Sequence, residues 1–303
     1  MLNIAISGSS GFIGSALRNA LEARGDRVLR LLRPGAASSH GGAEIPWDPE
    51  RGTIDLQALE GLDAVVHLAG EGIADHRWSE AQKARIKESR ARGTKLLAET
   101  LSRLSNKPAS FVCASAIGIY GDRGATPIDE QAPPGDDFLS EVCVAWEQAA
   151  QPAEAAGIRV VHARFGIVLD PEGGALAKLL TPFRLGIGGK LGSGQQYMSW
   201  VSRADTVRAL LHVLDTQSLR GPVNVTAPMP VTNAQLTEAL GRALHRPTIF
   251  SVPGFAARAL LGEMAQVALL VGARVLPRAL LDSGFSFQHA MLDPYLRQAL
   301  AKG

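Results

Sequence analysis

Gly8, Gly11 and Gly14 are spaced as G-x-x-G-x-x-G, and their surroundings indicate what the spacing is for. Leu2 to Ile6 is a short apolar run, Phe12 to Arg24 is amphipathic, and a second apolar run covers Val28 to Leu32. Strand, glycine turn, helix, strand is the order of a dinucleotide-binding unit. In that order Gly8 permits a tight turn, Gly11 lets the backbone approach a pyrophosphate, and Gly14 brings the helix close to the strand. The amides at the helix start face the anion. Ser10, Phe12 and Ile13 complete the turn and are expected at the cofactor with it.

The end of the second apolar run bears on which dinucleotide is bound. An acid there holds the ribose 2′-hydroxyl of NAD. This chain has Arg33 and no acid between Val28 and Ser39. A guanidinium pairs with a 2′-phosphate that a carboxylate would repel, so NADP(H) is expected in preference to NAD(H). Arg30 helps if it projects to the same side. The competing role for Arg33 is a solvated cap on the sheet edge.

Further along, Ala64 to Gly70 is an apolar strand and its exit. Leu68 and the small Ala69 and Gly70 permit close approach by the cofactor, and Glu71 and Arg77 are expected at the crevice mouth. Two roles compete for Asp48: accepting a hydrogen bond from the adenine amino group, or capping the Asp-Pro turn. Ser115 ends a strand over Ala109 to Ser115, and Tyr120 follows closely.

The elements that must position these residues alternate. Trp78 to Leu104 reads as helix with a basic face of Lys83, Arg85, Lys87, Arg90, Arg92 and Lys95, which reads as solvated surface. Phe138 to Ala156 is expected as a helix and Ile158 to Phe165 as a strand. Pro34 to Gly42 is a turn-rich loop. Alternation at this spacing gives an α/β doubly wound parallel sheet, a Rossmann domain. From Gly173 the composition changes: a helix to Leu185, then a glycine-rich segment over 186–201. Glycine at that density is costly unless the backbone turns tightly or approaches a ligand. Gln195, Trp200 and Arg203 are therefore candidate substrate contacts. Asp205 is expected to cap a helix, and Thr232 to Leu244 forms another. The dinucleotide domain is placed at 1–170 plus about 201–226. A smaller, mainly helical substrate lobe takes about 171–200 and 227–303.

Bulk properties narrow the function. Of 303 residues 46% are hydrophobic, and Lys and Arg exceed Asp and Glu by two, with the basic residues dispersed. That argues against a nucleic-acid surface. Phe255 to Leu276 is interrupted by Arg258, Glu263, Gln266 and Arg274, so it is a poor membrane span and a good buried or dimer-forming helix. The histidines show no metal-ligand spacing. Cys113 and Cys143 fit a reducing compartment. The first strand begins at Leu2, leaving no room for a leader ahead of it, and a cytoplasmic protein is expected.

Taken together, Ser7-Gly8-x-x-Gly11-Phe-Ile-Gly14, His67-Leu-Ala-Gly70, Ser115 with Tyr120-Gly121, and Arg164-x-Gly166-x-Val-Leu169 resemble the extended short-chain dehydrogenase/reductases. Leu-Ala-Gly-Glu71, Arg77-Trp78, Ser89-Arg90, Trp146-Glu147, Ser199-Trp200-Val201 and Gly284-Phe-x-Phe287 are similar, more narrowly, to the YfcH-like NAD(P)-dependent epimerase/dehydratase subgroup. The resemblance implies cofactor contacts at Ser115 and Arg164. It also implies a Ser, a Tyr and a Lys for proton transfer. At the positions matching that set this chain carries Ala116, Leu139 and Cys143, which makes it an atypical member. Ser115 and Tyr120 are weak substitutes, with Glu141 and Lys190 behind them.

Two readings follow. One is an NADP-binding epimerase or reductase acting on a small polar, sugar-nucleotide-like substrate. The other is an NADP(H)-binding sensor that has lost the chemistry.

Overall fold

The computed structural model describes residues 1–35, 43–73 and 76–301, with only the backbone at 260 and 261. Most of the loop expected over 34–42 therefore lies outside the described residues. The chain begins with β1 (Asn3–Ser7), α1 (Phe12–Ala23), β2 (Arg27–Leu32), β3 (Ala43–Asp48), β4 (Thr53–Ile54) and β5 (Ala64–His67). It continues with α2 (Glu80–Arg103), β6 (Ser110–Ala116), β7 (Gly124–Ile128), α3 (Phe138–Gln148), α4 (Gln151–Ala155) and β8 (Arg159–Phe165). One sheet has the order β13-β8-β6-β5-β1-β2-β3-β4, where β13 is Gly221–Val225. Every pairing in it is parallel except that of β3 with the edge strand β4. The order reverses at β1, so the crevice of this doubly wound sheet opens beside the carboxyl ends of β1 and β5.

The strands read as unbroken apolar runs because both faces are covered. Ile4, Ile6 and Val66 pack with Leu17 and Leu21 of α1 and with Leu210 and Val213 of α6 (Arg203–Asp215). Ala5, Val65 and Phe111 face the other way, onto Leu97 and Leu101 of α2 and Ala153 of α4. Alternate residues of one strand thus serve two cores.

After β8 the chain leaves the sheet as β9 (Ile167–Asp170), α5 (Gly174–Arg184), β10 (Gly189–Leu191), β11 (Tyr197–Met198) and β12 (Trp200–Ser202). It returns with α6 and β13, then leaves again. The second excursion comprises β14 (Val231–Thr232), α7 (Asn233–Leu244), β15 (Phe250–Val252), α8 (Gly254–Leu261), β16 (Ala273–Val275), α9 (Arg278–Asp282) and α10 (Leu292–Leu300). Leu176, Leu180, Trp200, Leu236, Leu240 and Leu296 form the core of this outer lobe.

Three expectations are corrected. The helix expected over Phe138 to Ala156 is two helices, because Pro152 falls in the first turn of α4 and cannot continue α3's hydrogen bonding. Asp205 is not the cap of α6. The Ser202 hydroxyl accepts from the Asp205 amide at 3.0 Å, and the buried Asp205 carboxylate accepts from the amides of Gln288 and His289, anchoring the tail. The tract from Phe255 to Leu276 is not one helix: Gly262, at φ +66°, ends α8, and a single π turn (Ala265–Leu269) and β16 follow. β16 pairs with β7, carrying the tail back toward the sheet.

A candidate dinucleotide crevice and the cleft beside it

The glycine turn is built from close backbone approaches. Gly8 sits at φ +68°, and a Cβ there would lie 2.9 Å from the Ala69 amide nitrogen. A Cβ on Gly14 would stand 2.1 Å from the Gly8 carbonyl oxygen, so no side chain fits between α1 and the turn. The Gly11 amide donates to Gly8 O at 2.9 Å. No side chain caps α1 and no acid lies in its first turn, while Ser10 and Gly11 are exposed. The start of α1 therefore offers unneutralised amides on the crevice side, which suits a pyrophosphate.

Beneath the turn, Ser7 Oγ accepts from the Leu68 and Ala69 amides at 3.2 and 3.3 Å and lies 2.6 Å from His67 Nδ1. Burial holds His67 down to about 3, so the ring is neutral and shares a hydrogen bond with the Ser7 hydroxyl. This pair fixes the ends of β1 and β5 against each other and sets the path of Leu68, Ala69 and Gly70. Arg30 is buried, its guanidinium bracing the glycine turn through Ser9 Oγ at 3.3 Å and pairing with Glu44 at 3.5 Å. Arg33 is exposed at the end of β2. Asp48 takes the capping role of the two expected, its Oδ1 accepting from the amides of Glu50 and Arg51 at 2.9 and 3.1 Å. The Glu71 amide donates to Ser89 Oγ, and Arg77 is exposed beside Gly262. Phe12 turns outward, where Gly173 and Gly174 leave room for its ring and Arg203 lies 4.7 Å above it.

Beyond the crevice is a cleft of about 260 Å³ between the end of β6, α3 and the outer lobe. Ala116, Leu139 and Cys143, from three separate positions in the sequence, line it together. The register inferred from the motifs is thus geometrically coherent: these three face one space, and none of them can move a proton there. Burial pushes the Cys143 thiol up to about 12, leaving it protonated.

The residues weighed as substitutes are engaged elsewhere. Ser115 Oγ donates to Glu147 Oε1 at 2.7 Å. Arg164 grips the same carboxylate through Nε and Nη2, both at 2.8 Å, and donates from Nη1 to the Tyr120 hydroxyl at 2.9 Å. Tyr120 donates to Asn224 Oδ1 at 2.7 Å and is wholly buried. Burial would raise the Glu147 carboxyl, but the Arg164 fork outweighs it and holds the carboxyl below its usual range; burial raises the Tyr120 phenol. Ser115, Tyr120 and Arg164 therefore form a buried brace behind the cleft, and none of them lines it. Glu141 and Lys190 are exposed and line no part of it.

None of the expected substrate contacts lines the cleft. Trp200 is 1% exposed, stacked on Tyr295 in the lobe core. Gln195 is exposed outside the cleft. Arg203, at the start of α6, donates to Ser15 Oγ of α1 at 3.2 Å and pairs with Glu172 at 3.4 Å. Arg90, grouped by the sequence with a solvated basic face, instead lines the cleft with its guanidinium 5.0 Å over the Trp146 ring. Its signal was its place among the subgroup motifs, next to Ser89. Among the described residues no cluster of groups suits a metal ion.

A doubly wound sheet, a glycine turn with close backbone approaches and an open helix N-terminus together define a nucleotide-binding protein of Rossmann type. The chain belongs to the NAD dependent epimerase/dehydratase family, whose model matches residues 4–225; a domain of unknown function, DUF1731, matches residues 252–299. It is 45% identical over 299 residues to epimerase family protein Mb2239 of Mycobacterium bovis, spanning 99% of this chain and 98% of that one. It is 34% identical over 304 residues to human epimerase family protein SDR39U1, spanning 99% of this chain and all of that one. A crystal structure of human SDR39U1 isoform 2 with NADPH superimposes with a TM-score of 0.90 at 33% identity, over the full length of both chains. UDP-glucose 4-epimerase of Thermotoga maritima, at 19% identity and a TM-score of 0.78 over 99% of this chain and 98% of that one, shares the fold.

Proposed function

We propose that the protein binds NADP(H) in the crevice beside β1, β2 and β5 and acts as an oxidoreductase of the epimerase class on a small molecule in the adjoining cleft. The observation that carries this reading is the glycine turn, closed to any side chain at Gly14 and opening onto uncapped amides of α1. Exposed Arg33, with no acid beside it at the end of β2, supports the phosphorylated dinucleotide. The NADPH in the SDR39U1 structure points the same way. When bound, such a cofactor supplies hydride exchange with a substrate carbon. In this reading the α1 amides hold the pyrophosphate, Arg33 pairs with the 2′-phosphate, and Leu68, Ala69 and Gly70 lie along the nicotinamide half. Glu71 and Arg77 stand at the mouth. Ala116 and Leu139 have no proton to exchange and Cys143, held at about 12, is a poor acid, so the proton partner of the hydride comes from water or another group of the cleft lining.

That lack favours a second reading, an NADP(H) sensor without turnover. Oxidation of pre-loaded NADPH, followed at its absorbance across a panel of carbonyl compounds and nucleotide sugars, separates the two. Oxidation with any member supports the enzyme; none across the panel leaves the sensor. Among the described residues no helix is long and apolar enough to cross a membrane. The unpaired buried cysteines Cys113 and Cys143 support a cytoplasmic setting. A homodimer through the 260–276 tract is tested by the solution mass.

A further inference from the structure

We infer that the cleft is built for a small amphipathic anion, a carboxylate on an apolar body held by Arg90, and not for a nucleotide sugar. The inference rests on the proposed function for the location of the site and goes beyond it in naming the ligand class. Three observations carry it.

The first is size. About 260 Å³ is below the roughly 300–1,000 Å³ of pockets that enclose drug-sized ligands. A nicotinamide at the end of β6 would take part of that space.

The second is lining. Ile117, Leu139, Val142, Phe165, Met198 and Val267 make most of the wall apolar. A nucleotide's ribose and phosphates need polar partners that such walls do not supply.

The third is the charge. Arg90 is the one cation lining the cleft among the described residues. Its Nη1 donates to the Ile86 carbonyl at 3.0 Å, and no carboxylate among the described residues forms an ion pair with it. Glu71 acts on it only at longer range. Burial works against its charge, yet a guanidinium stays protonated in proteins, so a half-buried fork faces the cleft without an anionic partner. Trp146, 6% exposed, lines the same cleft and holds the guanidinium over its ring at 5.0 Å, which fixes where the charge stands. The other charged liner, Asp137, is engaged: its Oδ1 accepts from the amide and hydroxyl of Ser140 as the cap of α3.

The test is calorimetric binding to the full chain saturated with NADP⁺. The probes are phenylpyruvate and 4-methyl-2-oxopentanoate, with methyl phenylpyruvate as the neutral analogue and UDP-glucose as the nucleotide sugar. NADPH affinity is measured alongside in the wild type, Arg90→Lys and Arg90→Gln. At least one keto acid is expected to bind about tenfold or more tighter than the ester and than UDP-glucose. Arg90→Gln should remove that margin, Arg90→Lys should recover part of it, and NADPH affinity should change less than about twofold. Tighter binding of UDP-glucose, equal binding of acid and ester, or no binding of either acid at millimolar concentration overturns the inference. So does an Arg90→Gln variant that weakens NADPH and leaves the acids unaffected, which would make Arg90 a cofactor contact. Should the wild type fail to bind NADPH, the proposed function falls. Arg90-dependent binding of the acids to the unloaded protein would still uphold the anion site.

Discussion

The turn at Gly8 to Gly14 and the cleft walled by Ala116, Leu139 and Cys143 stand at neighbouring strand ends of one sheet, and they differ in what they ask of side chains. The turn works through backbone: glycines where a Cβ would strike the Gly8 carbonyl, and amides at the start of α1 that no side chain caps. The cleft has to work through side chains, and the positions that would carry a proton relay hold a methyl, an isobutyl and a buried thiol. Behind it, the polar groups Ser115, Glu147, Arg164 and Tyr120 satisfy one another. Binding a dinucleotide and performing proton chemistry on its neighbour are thus separable properties of this fold. Here the backbone geometry that suits the first is present, and the positions matched to the second line a largely apolar space with one inward cation.

The largest effects come from breaking what supports the cleft. Glu147→Gln leaves the Arg164 guanidinium buried without its carboxylate and should cost about 3–5 kcal/mol of unfolding free energy, measured by urea titration. A variant that lost under about 1 kcal/mol would show that water, and not Glu147, compensates the charge. On the crevice side, Gly14→Ala sets a methyl 2.1 Å from a backbone oxygen and should cost about 3 kcal/mol of stability along with NADPH binding. Unchanged cofactor affinity in a folded Gly14→Ala protein would remove the close approach from the account.

A smaller effect tests the floor of the crevice. His67 is held near 3 in the folded protein against 6.5 when free, and burial lowers His162 in the same direction. Below about pH 6.5 the unfolded chain takes up protons that the native state refuses, so stability falls as pH falls. For His67 alone the loss from pH 7.5 to pH 5 is about 2 kcal/mol. Glu130, raised by burial, works the other way toward the acid end, so the readout is the difference between wild type and His67→Gln. An equal pH slope in both would mean that His67 is charged in the native state.

How far the sequence could be read follows the same division. The turn was legible because its requirements are local: glycine spacing, a flanking strand and a flanking helix within one short stretch. Ala116, Leu139 and Cys143 could be assigned to one site only through the family resemblance, which matches them to the positions of its Ser, Tyr and Lys. The fate of Ser115, Tyr120 and Arg164 was not legible, since their partners lie far along the chain; Ser115 meets Glu147 and Tyr120 meets Asn224 only after folding. Arg90 was hidden by its neighbours, because a basic helix face looks uniform until Trp146 is seen beneath one of its members. Trp200 and Arg203 misled because a glycine-rich segment serves lobe packing as readily as ligand approach: Gly188 and Gly189 make room for the Phe183 ring and the Phe250 backbone, not for a substrate.

The proposed preference for a phosphorylated dinucleotide rests on Arg33 at the end of β2. Affinities for NADPH and NADH, measured by fluorescence titration on the wild type and on Arg33→Ala, test it most directly. The wild type should prefer NADPH, and the variant should lose about 1.5–3 kcal/mol of that preference while its NADH affinity stays within about twofold. Equal wild-type affinities for the two cofactors would contradict the account.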